Sequence, residues 1–241
     1  AGFEYVELAL QDVLSLSDED FAKAEARFKA LGVPALTGYN IIPADLMLVG
    51  PDADKAKQDA HLGKALGRAE RLGLKMVVLN NGPARKIPEG FDKARAWKQL
   101  VDFGRRFAAE AKKHGITVLV QPLRPEETNL VTNVPDALKL VTAVGHPNFQ
   151  LLVDYSFMAM QNEDPAVLAK AKGHLKHVWI SNPNGRTYPM SVDEADYPAF
   201  FAALKKIGYR GGLSIHARTD NFFADAPPAL TFLRKMAAEK L

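Results

Sequence analysis

Eight residues stand at or beside the point where a short apolar run gives way to polar sequence: Glu7, Asn40, Asn80, Gln121, Asp154, Trp179, Ser181 and His216. Their types point to chemistry on a hydroxyl-rich ligand. Amides and carboxylates bond hydroxyl groups, and a flat indole suits the C–H face of a sugar ring. A free imidazole titrates near pH ~6.5, so His216 is a candidate general base, with Asp154 placed to orient it. The same residue types also cap the helix or turn that follows a strand, and that reading stays open for each of them.

Positioning eight such residues requires a repeated architecture, and the sequence carries one. Five times an amphipathic helical stretch ends in a glycine and an apolar run follows: Gly32, Gly73, Gly115, Gly145 and Gly208. A glycine just past a helix takes the left-handed conformation that satisfies the last carbonyls. Ser17 is a plausible N-cap with Asp20 three residues on, and Phe21, Ala24, Phe28 and Leu31 share a face of the helix it opens. The strand-like runs are Phe3 to Leu8, Ala35 to Asn40, Met76 to Asn80, Thr117 to Gln121, Gln150 to Asp154, His177 to Ser181 and Gly212 to His216. Short, continuous apolar strands alternating with helices predict parallel strands covered on both faces, in one α/β domain over residues 1–241. Seven is one short of a (β/α)8, or TIM, barrel. In such barrels chemistry sits at the C-terminal ends of the strands, where these residues lie.

Composition excludes several alternatives. The 241 residues are 47% hydrophobic and 24% charged, as expected of a folded globular chain. There is no cysteine, which removes disulfides, thiolate zinc sites and cysteine nucleophiles. The net charge of +3 is spread along the chain, so neither a nucleic-acid nor a membrane partner is expected. No apolar run reaches the roughly 18 residues of a membrane span. A cytoplasmic location is expected, and removal of an upstream export signal is compatible with a chain that starts at Ala1. Asn80 to Gly90 lacks the spacing of a phosphate-cradling loop, so Arg85 and Lys86 read as part of a solvated connection. Arg105, Arg106, Lys112 and Lys113 read as the solvated face of a helix.

The segments 116–129 (ITVLVQPLRPEETN), 152–158 (LVDYSFM), 177–186 (HVWISNPNGR) and 213–218 (LSIHAR) resemble successive strand ends of the xylose isomerase-like TIM barrels, which include D-tagatose 3-epimerase and hydroxypyruvate isomerase. The resemblance covers nearly the whole chain. It implies a sugar or keto-sugar isomerase or epimerase with a carbohydrate pocket at the C-terminal barrel face. In the family, a Glu, an Asp, a His and a Glu hold a divalent cation, and the two glutamates move the proton. The matching positions here are Gln121, Asp154, Trp179 and His216, with Phe157 where a further His would stand. Glu127 matches the family's sugar-contacting acid, and Arg186 its arginine after the third of these strands. The catalytic candidates are therefore Asp154 and Glu127, which the resemblance implies, and His216 as the base; the ligand-contact candidates are Gln121, Phe157, Trp179 and Arg186 at positions the resemblance matches, and Glu7 and Asn40 by their places at strand ends.

One carboxylate, one amide, one imidazole and one indole are a poor set for Mn²⁺ or Mg²⁺, which want hard anionic oxygens. No cofactor is expected; the alternative is a divalent cation, Mn²⁺, Mg²⁺ or Zn²⁺, held weakly by Asp154, His216 and Gln121. His177 reads as a buried structural histidine one layer deeper. A non-catalytic sugar-binding or regulatory homologue is the alternative function. The more distant endonuclease IV needs a multi-metal cluster that six histidines, mostly on helices or helix ends, do not supply. Compared with the family, Ala1 to Leu8 reads as the second strand. That implies a barrel without its first β/α unit, with open edges at Phe3 to Leu8 and Gly212 to His216. Those edges are expected to be covered by the C-terminal helix from Pro227 to Leu241 or by a partner in a homo-oligomer.

Overall fold

The computed structural model describes residues 2–240. All five predicted helix-ending glycines have left-handed φ, from 64° at Gly32 to 81° at Gly73. Only a residue without Cβ takes that conformation freely, so sequence alone sets these helix ends. The strands are β1 (Val6–Ala9), β2 (Ala35–Tyr39), β3 (Met76–Leu79), β4 (Thr117–Val120), β5 (Phe149–Asp154), β6 (Leu175–Ile180) and β7 (Gly212–Ile215). They form one parallel sheet in the order β1-β2-β3-β4-β5-β6-β7. The helices are α1 (Leu10–Leu14), α2 (Asp18–Ala30), α3 (Lys55–Arg71), α4 (Lys93–Lys113), α5 (Val134–Val144), α6 (Tyr155–Met160), α7 (Tyr197–Lys206) and α8 (Phe222–Lys240). This is a TIM-type barrel of seven parallel strands.

Ser17 caps α2 as its position predicts, accepting from Asp20 N at 3.1 Å. Phe21 is fully buried, but Leu31 is 70% exposed because it lies past the last helical turn, where the face it would share has ended. The first strand also starts later than its apolar pattern suggests. Phe3 turns outward to meet Phe222, with ring centroids 6.5 Å apart, and Arg234 of α8 donates to the Gly2 carbonyl at 2.6 Å. No ladder joins β1 to β7 among the described residues. A cavity of about 610 Å³ lies between them, with Leu230, Leu233 and Arg234 of α8 forming part of its wall.

Two apolar layers hold the sheet. The larger lies between strands and helices; the smaller fills the barrel interior with Val78, Leu119, Leu152 and Trp179. Leu152 and Asp154 share a strand face, as do His177 and Trp179, so the interior becomes polar above and below this small plug. The basic face of α4 is not simply solvated. Arg106 bonds Asp59 and Gln58 of α3, Arg105 donates to Ala143 O at 2.8 Å, and Lys113 pairs with Glu110 at 2.6 Å on the exposed surface. Among the described residues no helix is long and apolar enough to cross a membrane.

Helix α4 reaches the sheet through Gly104, where a Cβ would stand 2.7 Å from Val144 Cγ2 and 3.4 Å from Phe149 Cε2. Valine is stiff and Phe149 is fully buried, so neither gives way easily. Gly104→Ala is expected to destabilise the protein by about 1–2 kcal/mol despite the better helix propensity of alanine. Gly63 in α3 has nothing within 4 Å, so Gly63→Ala should stabilise it by up to about 1 kcal/mol. Urea unfolding of both variants checks the opposite signs.

Candidate functional site

Asp154 ends β5 and is also the N-cap of α6, and this double duty places a carboxylate at the barrel mouth. Its Oδ1 accepts from Ser156 N at 3.0 Å and Ser156 Oγ at 2.6 Å. Its Oδ2 accepts from Arg186 Nη2 at 3.0 Å and Gln121 Nε2 at 3.3 Å. Burial pushes the Asp154 carboxyl above its ordinary range, and the Arg186 guanidinium and the Ser156 hydrogen bond pull it back.

Arg186 reaches this carboxylate from the loop after β6. Its backbone has φ 55°, and its carbonyl accepts from Arg218 N at 2.8 Å, which ties the loop to the segment after β7. The guanidinium lies 4.6 Å from the Phe157 ring centroid, and that of Arg124 lies 5.2 Å from it. Arg124 in turn donates from N and Nε to Glu127 Oε2 at 3.3 and 3.4 Å. Phe157 thus links Asp154 and Arg186 to Glu127, through the two arginines on its ring.

Trp179 and His216 form a second group beside the first. Their rings stack at 3.9 Å with planes 6° apart, and Tyr39 meets both edge-on. The His216 carbonyl lies 3.4 Å from Arg186 Nη2. Burial lowers the His216 imidazole to about 4; Glu7 opposes this, while Arg186 and His177 add to it. The ring is therefore neutral at pH 7, and the Asp154 carboxylate is engaged by Arg186, Gln121 and Ser156.

Glu7 lines one cavity with Tyr39 and His216, but neither it nor Asn40 bonds Asp154 or Arg186. Glu7 Oε1 is 2.6 Å from His177 Nε2 and accepts from Ser214 Oγ at 2.8 Å, deep in the interior next to the gap between β1 and β7. His177 is buried and hydrogen-bonded, as a structural histidine there should be. Asn40 and Asn80 bond each other twice, N to Oδ1 and Nδ2 to Oδ1, each at 2.9 Å.

Four contributors carried no clear sequence signal. Tyr39 and Ser156 look like ordinary strand and helix residues, and Ser214 like strand filler. Arg124 shares its loop with Glu127, which was its one clue. Arg85, read above as part of a solvated connection, is fully buried and donates to Gln121 O at 2.6 Å. Burial depresses its guanidinium to about 9. The Asn80 to Gly90 loop folds inward because Gly82 packs on the Glu127 backbone, where a Cβ would be 2.5 Å from its carbonyl oxygen.

The family cation does not fit this donor set. Among the described residues no group of three or more His, Cys, Asp or Glu stands together as ligands. Of the four matching positions, Trp179 has no donor atom for a metal, Gln121 offers a neutral amide oxygen, His216 a single imidazole, and both Asp154 oxygens are engaged.

Parallel strands and outer helices define a (β/α)-barrel protein, with a polar cluster at the C-terminal strand ends. The model of the xylose isomerase-like TIM barrel family matches residues 1–236, and the chain belongs to that family. An L-ribulose 3-epimerase of Methylomonas sp. (strain DH-1) is 27% identical over 225 residues, covering 90% of this chain and 74% of that protein. A ketose 3-epimerase of Arthrobacter globiformis is 26% identical, covering 88% and 72%. A D-allulose 3-epimerase from Methylomonas sp., solved in complex with D-allulose, has the same fold, with a TM-score of 0.82, 24% identity and coverage of 98% and 87%.

The His216 shift fixes a pH dependence. Its folded value of about 4 lies below the free value near 6.5, so below pH 6.5 the unfolded chain binds the extra proton. This contribution to stability is whole above pH ~6.5 and is lost as pH falls towards ~4. At pH 5 the loss is about 2 kcal/mol. Urea unfolding of the native chain and of His216→Gln at pH 7 and pH 5 should show the smaller pH dependence in the variant.

Proposed function

We propose that the protein acts on a sugar or keto-sugar as an isomerase or epimerase, taking its ligand at the C-terminal barrel face. The supporting observation is the joined set Asp154, Arg186, Phe157, Arg124 and Glu127: charged donors and acceptors around one flat ring at the strand ends. Similarity to ketose 3-epimerases supports the same reading. Such reactions remove a proton from the carbon next to a carbonyl, which requires a base and a positive group near the oxygen. Glu127 is the base of this reading, because its side chain is 36% exposed and only Arg124 bonds it. Arg186 faces the carbonyl oxygen, Phe157 and Trp179 contact the ring carbons, and Asp154 and Gln121 hold Arg186 in place. His216, neutral and stacked, shapes the wall of the site and is the weaker base.

A second reading, a sugar-binding barrel without turnover, is favoured by Gln121, which has no titratable group where the family resemblance places a glutamate. Proton exchange separates the two. A ketose incubated with the protein in deuterated water should lose the proton signal of the carbon beside its carbonyl. Glu127→Gln should slow that exchange by ~10² or more, and Asp154→Asn should weaken ketose binding. Ketose binding with no protein-dependent exchange would establish the second reading.

A further inference from the structure

We infer that the Arg186 guanidinium, rather than a divalent cation, is the fixed positive charge this site presents to its ligand. The inference rests on the sugar reading only for the identity of that ligand.

Asp154 is the one carboxylate among the four positions that the resemblance would place around a cation. Its free valences are gone: Ser156 covers Oδ1 with two hydrogen bonds, and Arg186 and Gln121 cover Oδ2. A cation on Asp154 would have to displace the guanidinium from a buried ion pair, or sit beside it as a like charge. The other three positions offer little in exchange. Trp179 has no ligating atom, and Gln121, whose Nε2 donates to Asp154, offers only a neutral amide oxygen. His216 keeps its ring nitrogens in the plane of the 3.9 Å stack with Trp179, but a single neutral imidazole is a weak hold for a divalent cation.

Arg186 itself is built as a fixed group. Its left-handed backbone, the bond from Arg218 N to its carbonyl and the Phe157 ring beneath the guanidinium hold the planar fork in one orientation. Two nitrogens are left over. Nη2 serves Asp154 and the His216 carbonyl, whereas the Nε–H is buried without a partner and Nη1 bonds no protein group. A buried guanidinium donor without an acceptor calls for an oxygen, and the oxygen it would favour most carries partial or full negative charge. The keto oxygen of a sugar, gaining charge as the neighbouring proton leaves, is such an acceptor. The guanidinium can meet it without any change in its own charge, because arginine stays protonated.

Two measurements on the full chain test this. The first is metal content by mass spectrometry after equilibration with Mn²⁺ or Zn²⁺, with melting curves recorded with each ion and with EDTA. Substoichiometric metal and unchanged melting are expected. One equivalent of cation per chain, lost in Asp154→Asn, would overturn the inference. The second is D-fructose or D-allulose titration by calorimetry in EDTA. Affinity should match that in Mn²⁺, fall about tenfold or more in Arg186→Met, and fall less in Arg186→Lys, with circular dichroism confirming that the variants fold. EDTA-sensitive affinity, or Arg186→Met binding as tightly as the native chain, would overturn it as well. Absence of both cation uptake and ketose binding would remove the sugar reading and leave the cation-free site standing. Cation uptake with intact ketose binding would do the reverse.

Discussion

A carboxylate buried at the end of a parallel strand has to be supplied with donors, and that requirement at Asp154 organises the barrel mouth. Four donors arrive from three directions: Ser156 from the helix that Asp154 itself caps, Gln121 from the end of β4, and Arg186 from the loop after β6. Removing one partner of such a buried pair typically costs about 3–5 kcal/mol, because the other charge is left without compensation. Three strand ends are thereby held in a fixed relation by one side chain. The same pair sets the Arg186 guanidinium over Phe157, and through that ring positions Arg124 and Glu127.

The barrel interior divides its space between two solutions to burial. Val78, Leu119, Leu152 and Trp179 fill one side with apolar volume. On the side facing the gap between β1 and β7, Tyr5, Glu7, His177 and Ser214 bond one another instead. These contacts cross between β7 and β1 where no backbone ladder does, so side chains take over a role that main-chain hydrogen bonds play elsewhere in the sheet. Glu7, a candidate ligand contact by its place at a strand end, is drawn into this network and away from Asp154.

What the sequence made legible follows from the range over which each feature is determined. The five glycines ended their helices as expected because left-handed φ is a property of the residue itself. Ser17 capped its helix because the bond reaches only to Asp20. Asp154, Gln121 and Arg186 could be singled out from their places at and after strand ends. Their mutual bonding could not, since it spans more than 30 residues of chain. Arg85 was misread for the same reason: a basic residue between Gly82 and Gly90 looks solvated until the Glu127 loop closes over it. Residues 3–5 carry a strand pattern, but α8 supplies them with partners that the pattern does not contain.

The stacking of Trp179 on His216 has an optical consequence. The chain has two tryptophans, and the other, Trp97, lies on α4 beside Lys139, away from the barrel interior. A buried indole whose N–H has no partner emits at shorter wavelength than a hydrated one, and a protonated imidazole against its face quenches it. The site therefore carries its own fluorophore, whose brightness reports the charge of His216 and whose colour reports whether water has entered the barrel mouth.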